Sequence, residues 1–210
     1  MTTLVLPANE EGTIAEAARI ILRGGLVVFP TDTVYGIGGH PFLPAATERI
    51  YRAKMRPREK AIPLLVSGPG QLATVVIDVP AAAHRLMEAF WPGALTIVLP
   101  KHPSVPDVLT GGRASVALRM PDHPLVTALA EAVSAPLAAT SANLSGRPPA
   151  TTATQAEKAL GEVVDLVIDG GPCSGGVPST VLDLTSSPPQ VVRPGAISLE
   201  ELRRIVSTIV

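Results

Sequence analysis

The chain has 210 residues, of which 46% are hydrophobic and 17% charged, so it carries ample apolar surface for a core and is not a disordered polypeptide. A net charge of −1 argues against a protein that coats nucleic acid with its whole surface, and a single cysteine excludes an internal disulfide. The unusual feature is 22 prolines and 18 glycines against 3% aromatics: these residues fall between apolar runs and read as punctuation for many short elements joined by shaped loops.

In chain order, Thr13 and Glu16 have capping-box spacing, Ile14, Ala17, Ala18 and Ile21 form an apolar helical stripe, and Gly24-Gly25 stop it. Leu26 to Phe29 reads as a strand buried on both faces, ended by Pro30. The segment from Pro30 to Gly39 reads as a loop. Further strands are predicted at 63–66, 95–99, 116–118, 137–139, 166–168, 181–184 and 191–192, with helices at 46–53, 81–90, 125–133 and 154–160. Ser198 and Glu201 repeat the capping-box spacing and open a last helix predicted to run to the end of the sequence. Helices and buried strands interleave, so one α/β domain over residues 1–210 with a twisted mixed sheet is expected. No basic leader precedes the first helix, and the longest apolar runs are far too short to span a bilayer, which predicts a cytoplasmic protein without membrane contact.

Four segments carry chemistry. Pro30 to Gly39 follows a buried strand, where open α/β sheets bind ligands, and its Thr and Gly residues allow close approach of a polar ligand. The same residues also suit a Gly-rich turn with Thr caps, and the glycine spacing matches neither a Walker loop nor a dinucleotide fingerprint. Arg49 to Lys60 holds six of the 17 Lys and Arg. A helix-end dipole accounts for Arg49 and Arg52, while Lys54, Arg56, Arg58 and Lys60 around Pro57 point to an anion site. Thr140 to Gly146 offers Ser141, Asn143 and Ser145 at alternate positions, suited to an anion or a purine edge, or to an Asx/ST turn. Gly175 to Thr180 and Arg193-Pro194-Gly195 flank predicted strands; alone they read as structural loops. The histidines at 40, 84, 102 and 123 have no metal-site spacing, Trp91 reads as packing at a helix end, and Asp32 reads as a turn residue or a magnesium contact.

Taken in order, Pro30-Thr31-Asp32-Thr33-Val34-Tyr35-Gly36, Lys54-Met55-Arg56-Pro57, Phe90 to Thr96, Val116 to Pro121 with His123-Pro124, Ser141-Ala142-Asn143-Leu144-Ser145-Gly146, Ser179-Thr180-Val181 and Arg193-Pro194-Gly195 resemble the YrdC family of threonylcarbamoyl-AMP synthases over residues 13–205. The resemblance implies a YrdC-like fold with a concave, positively charged surface. It implies a nucleotidyltransferase that joins L-threonine, bicarbonate or CO2, and ATP into threonylcarbamoyl-AMP and pyrophosphate. That product serves the threonylcarbamoyladenosine modification of tRNA position 37. Mg2+ is implied with ATP, no metal site of the protein's own is expected, and the partners implied are tRNA-modification proteins that take up the product, with weak tRNA or double-stranded RNA binding.

Carried over by position, Lys54 and Arg56 are the catalytic pair. Arg56, Lys60, Ser115, Asn143, Thr151 and Arg193 bind ATP; Thr33, Ser67, Arg119, Ser141 and Ser179 bind L-threonine, with Arg119 on its carboxylate. The sequence departs from the family at Ser67, where many members have His, at Thr140, where Pro is common, and at Pro178, which replaces Glu. The form expected is the short one, without the extra domain of the longer branch. Two other readings compete: a non-catalytic double-stranded RNA or tRNA-binding module, and a carbamoyl-transfer domain of the hydrogenase-maturation type.

Overall fold

The computed structural model describes residues 3–173 and 175–210. The strands are β1 (Leu4–Pro7), β2 (Val27–Phe29), β3 (Gly36–Gly39), β4 (Leu64–Leu65), β5 (Leu95–Pro100), β6 (Ser115–Arg119), β7 (Leu137–Ser141), β8 (Leu166–Asp169), β9 (Thr180–Asp183) and β10 (Gln190–Arg193). The helices are α1 (Thr13–Leu22), α2 (Pro44–Lys54), α3 (Ala81–Phe90), α4 (Asp107–Thr110), α5 (Pro124–Val133), α6 (Ala153–Leu160) and α7 (Leu199–Ile205). All ten strands join one mixed sheet in the order β1-β8-β2-β3-β7-β4-β6-β5-β9-β10.

Helices cover both faces of this sheet, which is why its central strands are apolar throughout rather than alternating. On one face α1 and α5 pack together, and Ala17, Ile21, Val126 and Leu129 close over Val27, Phe29, Leu137 and Ile168. On the other, α2, α3 and α7 contribute Ile50, Leu86 and Leu202 to a larger core with Val28, Ile37, Leu64, Ile97 and Leu118. Trp91 packs against that core at the end of α3 and donates Nε1 to the Leu95 carbonyl at 2.7 Å.

Several expectations are corrected. The predicted loop from Pro30 to Gly39 ends in β3, a wholly buried strand pairing with β2 and β7. A Cβ at Gly38 would sit 2.9 Å from the Phe29 ring, so glycine is what lets that ring lie across the strand. Thr13 and Glu16 do not form a capping box: Gly12, at φ 87°, is the cap, Thr13 donates its hydroxyl to the Pro7 carbonyl and Glu16 pairs with Arg19. The box at Ser198 and Glu201 forms as read, but α7 stops at Ile205 and the chain returns beside β10, where Val191 N–H bonds the Val210 carbonyl at 2.9 Å. Strand β1 and the short α4 lie outside the predicted elements.

The antiparallel register places Gly36 beside Ser141, and β4 sets Leu65 beside Arg119. Strands β5 and β9 run parallel with Leu95 beside Thr180. The ends of β3, β7, β6 and β9 therefore open toward a common depression.

Candidate active site

That depression is a cavity of about 220 Å³, whose walls include Thr31, Thr33, Thr96, Arg119, Ser141, Asn143, Arg147, Ser179 and Arg193. At its inner end Arg119, at the end of β6, is 7% exposed. Its Nε donates to the Gly93 carbonyl at 2.9 Å, one terminal nitrogen to Thr33 Oγ1 at 2.9 Å and the other to Asp32 Oδ1 at 2.6 Å. Burial pushes this guanidinium below its ordinary pKa, with Asp32 acting in the opposite direction. Beside it, Thr31 Oγ1 lies 3.0 Å from Thr33 Oγ1 and donates to the Val34 carbonyl.

The opposite wall is made by the loop after β7. Ser141 donates to Asn143 Oδ1 at 2.6 Å, and Asn143 Nδ2 donates to the carbonyls of Leu144 and Arg147. Lys54, at the end of α2 and 1% exposed, underpins this turn: its ammonium donates to the carbonyls of Ser141 and Asn143 and to Asn143 Oδ1. Burial, with the nearby charge of Arg56, lowers Lys54 to about 7. Lys54 thus faces the loop backbone and shapes the turn.

The outer end is cationic. Arg193 closes over Ser179, with one terminal nitrogen 2.6 Å from the Ser179 carbonyl and 3.1 Å from its hydroxyl. Ser179 in turn shares a 2.7 Å bond with Thr96. Burial lowers Arg193, and the charge of Arg119 adds to the shift. Arg56, which stands off the cavity walls, is lowered by burial and also by the charge of Arg193; it donates to the carbonyls of Lys60 and Ala61. Exposed Arg147 makes no side-chain hydrogen bond among the described residues.

Of the residues singled out from sequence, Thr33, Arg119, Ser141, Asn143, Ser179 and Arg193 line one cavity, and Lys54 supports its wall. Others stand off it. Ser115 lies at the opposite end of β6 from Arg119, beside Pro100, and Thr151 bonds Gln155. Ser67 donates its backbone N–H to Gln71 Oε1, and Lys60 is exposed beyond the Arg56 turn. Arg58 is held by Glu48, and Arg49 by Asp165, and neither lines the cavity. Thr31, Asp32, Thr96 and Arg147 complete the constellation. Each lay in or beside a motif already noted, and only the fold shows that Asp32 faces Arg119 and Thr96 faces Ser179.

No three His, Cys, Asp or Glu side chains among the described residues come together to hold a metal, and Asp32 is committed to Arg119. No helix among the described residues is long and apolar enough to cross a membrane.

The sequence pattern of the Sua5/YciO/YrdC family, described as telomere recombination, matches residues 19–195. The threonylcarbamoyl-AMP synthase of Pyrococcus abyssi is 42% identical over 200 residues, 95% of this chain and 59% of that protein. The crystal structure of P. abyssi Sua5 complexed with L-threonine superposes with a TM-score of 0.94 at 40% identity, over 100% of this chain and 62% of that one. E. coli YciO superposes with a TM-score of 0.84 at 31% identity, over 96% of this chain and 98% of that one. The chain thus spans about three fifths of the P. abyssi protein and nearly all of YciO.

Proposed function

The chain belongs to the Sua5/YciO/YrdC family, and from that premise we propose that it is an L-threonylcarbamoyladenylate synthase whose single YrdC-like domain holds both substrates in the cavity above Arg119. The observation that carries this reading is the pairing, in one cavity, of a hydroxyl-lined inner end with an outer end of uncompensated arginines. At about 220 Å³ the space is below the roughly 300–1,000 Å³ typical of sites for drug-sized ligands, a size for an amino acid with phosphates leading out of the mouth.

In this reading L-threonine occupies the inner end against Thr33, Ser141, Arg119 and Ser179, and the ATP phosphates meet Arg193 and Arg147, with Arg56 and the basic turn ending at Lys60 beside them. Threonine and CO2 or bicarbonate give a carbamate, whose oxygen attacks the α-phosphorus of ATP and expels pyrophosphate. Both reactants are anions. Holding them in line and neutralising their charge supplies the catalysis, and the chain needs no nucleophile of its own. Mg2+ enters in this reading as the ion carried by the triphosphate. Lys54 acts by holding the Ser141–Asn143 turn, and Ser67, Ser115 and Thr151 contact substrate only if the loops close further. Threonylcarbamoyl-AMP then passes to the proteins that modify adenosine 37 of tRNA.

The test is pyrophosphate release from ATP in the presence of bicarbonate and Mg2+. Release should depend on L-threonine and yield threonylcarbamoyl-AMP by mass; release indifferent to threonine would overturn the proposal.

A further inference from the structure

Trp91 and Pro92 line a second depression, of about 800 Å³, which shares no wall residue with the first. His84, Met87 and Glu88 share one face of α3 and form part of its wall, with Trp91 just beyond the helix end. The 3₁₀ turn Pro69–Thr74 and the chain after it add Leu72, Val76 and Val79, and Met120 completes the lining. Most of this surface is apolar. Its charged residues are Asp78 and Glu88; both are exposed, and neither side chain has a salt bridge or hydrogen bond among the described residues. No Lys or Arg lines it, so the two depressions are of opposite sign.

By volume a small molecule fits this space. The rim favours something larger. Ile77 is 67% exposed on a backbone that is held in place: Val76 bridges Lys101, and the Ile77 N–H donates to the Pro100 carbonyl at 3.2 Å. Pro69, Ala73 and His84 are exposed beside it. A small molecule seated between the walls leaves that rim in water, whereas a polypeptide laid along it covers walls and rim together. Met87 and Met120, two of the chain's four methionines, supply flexible thioethers that adapt to a partner's side chains.

We propose that this groove is a docking site for a helix of another protein, one with large apolar residues along one face and Lys or Arg on its flanks. The apolar stripe fills the space lined by Leu72, Val76, Met87 and Trp91 and packs on Ile77, and the flanking bases meet Asp78 and Glu88. A helix is the element that sets an apolar stripe and charged flanks on one face. The same bases are repelled by the arginines of the first cavity, so charge directs the partner to the groove. Because the two sites share no wall residue, partner and substrates can be held at once.

The test titrates two helix-forming peptides without tryptophan, which carry the same leucine stripe and either Lys or Glu on its flanks. Binding is read by the fluorescence of Trp91, the chain's one tryptophan. The Lys peptide should bind at least about tenfold more tightly than the Glu peptide at low salt. A Lys peptide of the same composition, with its leucines scattered around the helix, should bind about tenfold more weakly than the striped one. Asp78→Asn combined with Glu88→Gln should cut the affinity of the striped Lys peptide by about fivefold or more, and Ile77→Ser by about fivefold. All three positions are exposed, and an unchanged urea midpoint confirms that each variant is folded. No saturable binding, equal affinity for the Lys and Glu peptides or for the striped and scattered ones, or affinity unaltered in both variants would overturn the proposal. Self-association of the wild-type chain in sedimentation, abolished by Ile77→Ser, would assign the groove to a second copy and overturn it as well.

Discussion

Around Arg119 the polar groups bind one another: Asp32, Thr33, Thr31 and the Gly93 carbonyl engage its guanidinium or its neighbours inside the protein. Around Arg147 and Arg193 the cations line the cavity, and among the described residues no carboxylate pairs with them. The first region is buried and electrically balanced, a surface suited to recognise shape and hydrogen-bond direction. The second is exposed and positive, a surface whose chemistry suits phosphate charge with little regard to what carries it. The proposed reaction, which binds a zwitterionic amino acid and joins its carbamate to a polyanion, needs both.

The sharpest way to break this contrast is to remove the cation from each region in turn. Arg119→Ala strands Asp32, whose side chain is only 17% exposed, without its partner. The loss should be about 3 kcal/mol of stability in urea unfolding, together with threonine binding. Loss confined to threonine affinity, with stability unchanged, would show that the inner network is not structural.

A second prediction concerns the wall between the regions. Lys54 falls to about 7 in the folded chain against an ordinary value of 10.5. Between those values the unfolded chain holds a proton that the folded chain has released. Stability should therefore rise with pH across that window and fall as pH drops toward 7, by at most about 1.4 kcal/mol per pH unit. The difference in unfolding free energy between wild type and Lys54→Met, measured at pH 7 and pH 9, should shift in favour of wild type at the higher pH. A difference independent of pH would mean that Lys54 keeps its proton throughout.

Arg147→Ala should have the smallest effect. Unfolding should be unchanged and the threonine KM unaltered, with the ATP KM raised a few-fold, as suits an exposed charge on phosphate. An equal rise in both Michaelis constants would merge the two regions.

Most of the architecture was legible because its strands are short apolar runs stopped by Pro or Gly, a pattern that composition already announced. Strand β3 was not. Gly36-Ile37-Gly38-Gly39 has almost no side chains to show a period, and its glycines make room for Phe29 and for the backbone of β7. The spacing of Thr13 and Glu16 also misled, because Pro7 and Arg19 offered those side chains better partners than the helix terminus did. At the site, the sequence pattern identified the loops and most of the residues that line them. It could not show that Lys54 turns toward the carbonyls of Ser141 and Asn143, nor that Asp32 neutralises Arg119, since both depend on segments more than 80 residues apart meeting across the sheet.

The contrast between the two regions is tested most directly by equilibrium binding of L-threonine and of a non-hydrolysable ATP analogue, each titrated at low and at high salt. Threonine affinity should change by less than about twofold, because it is read by short bonds at a balanced site. ATP-analogue affinity should fall by about tenfold or more as salt screens the open arginines. Equal salt dependence for the two ligands would contradict a cleft divided into a hydrogen-bonding end and a charged end.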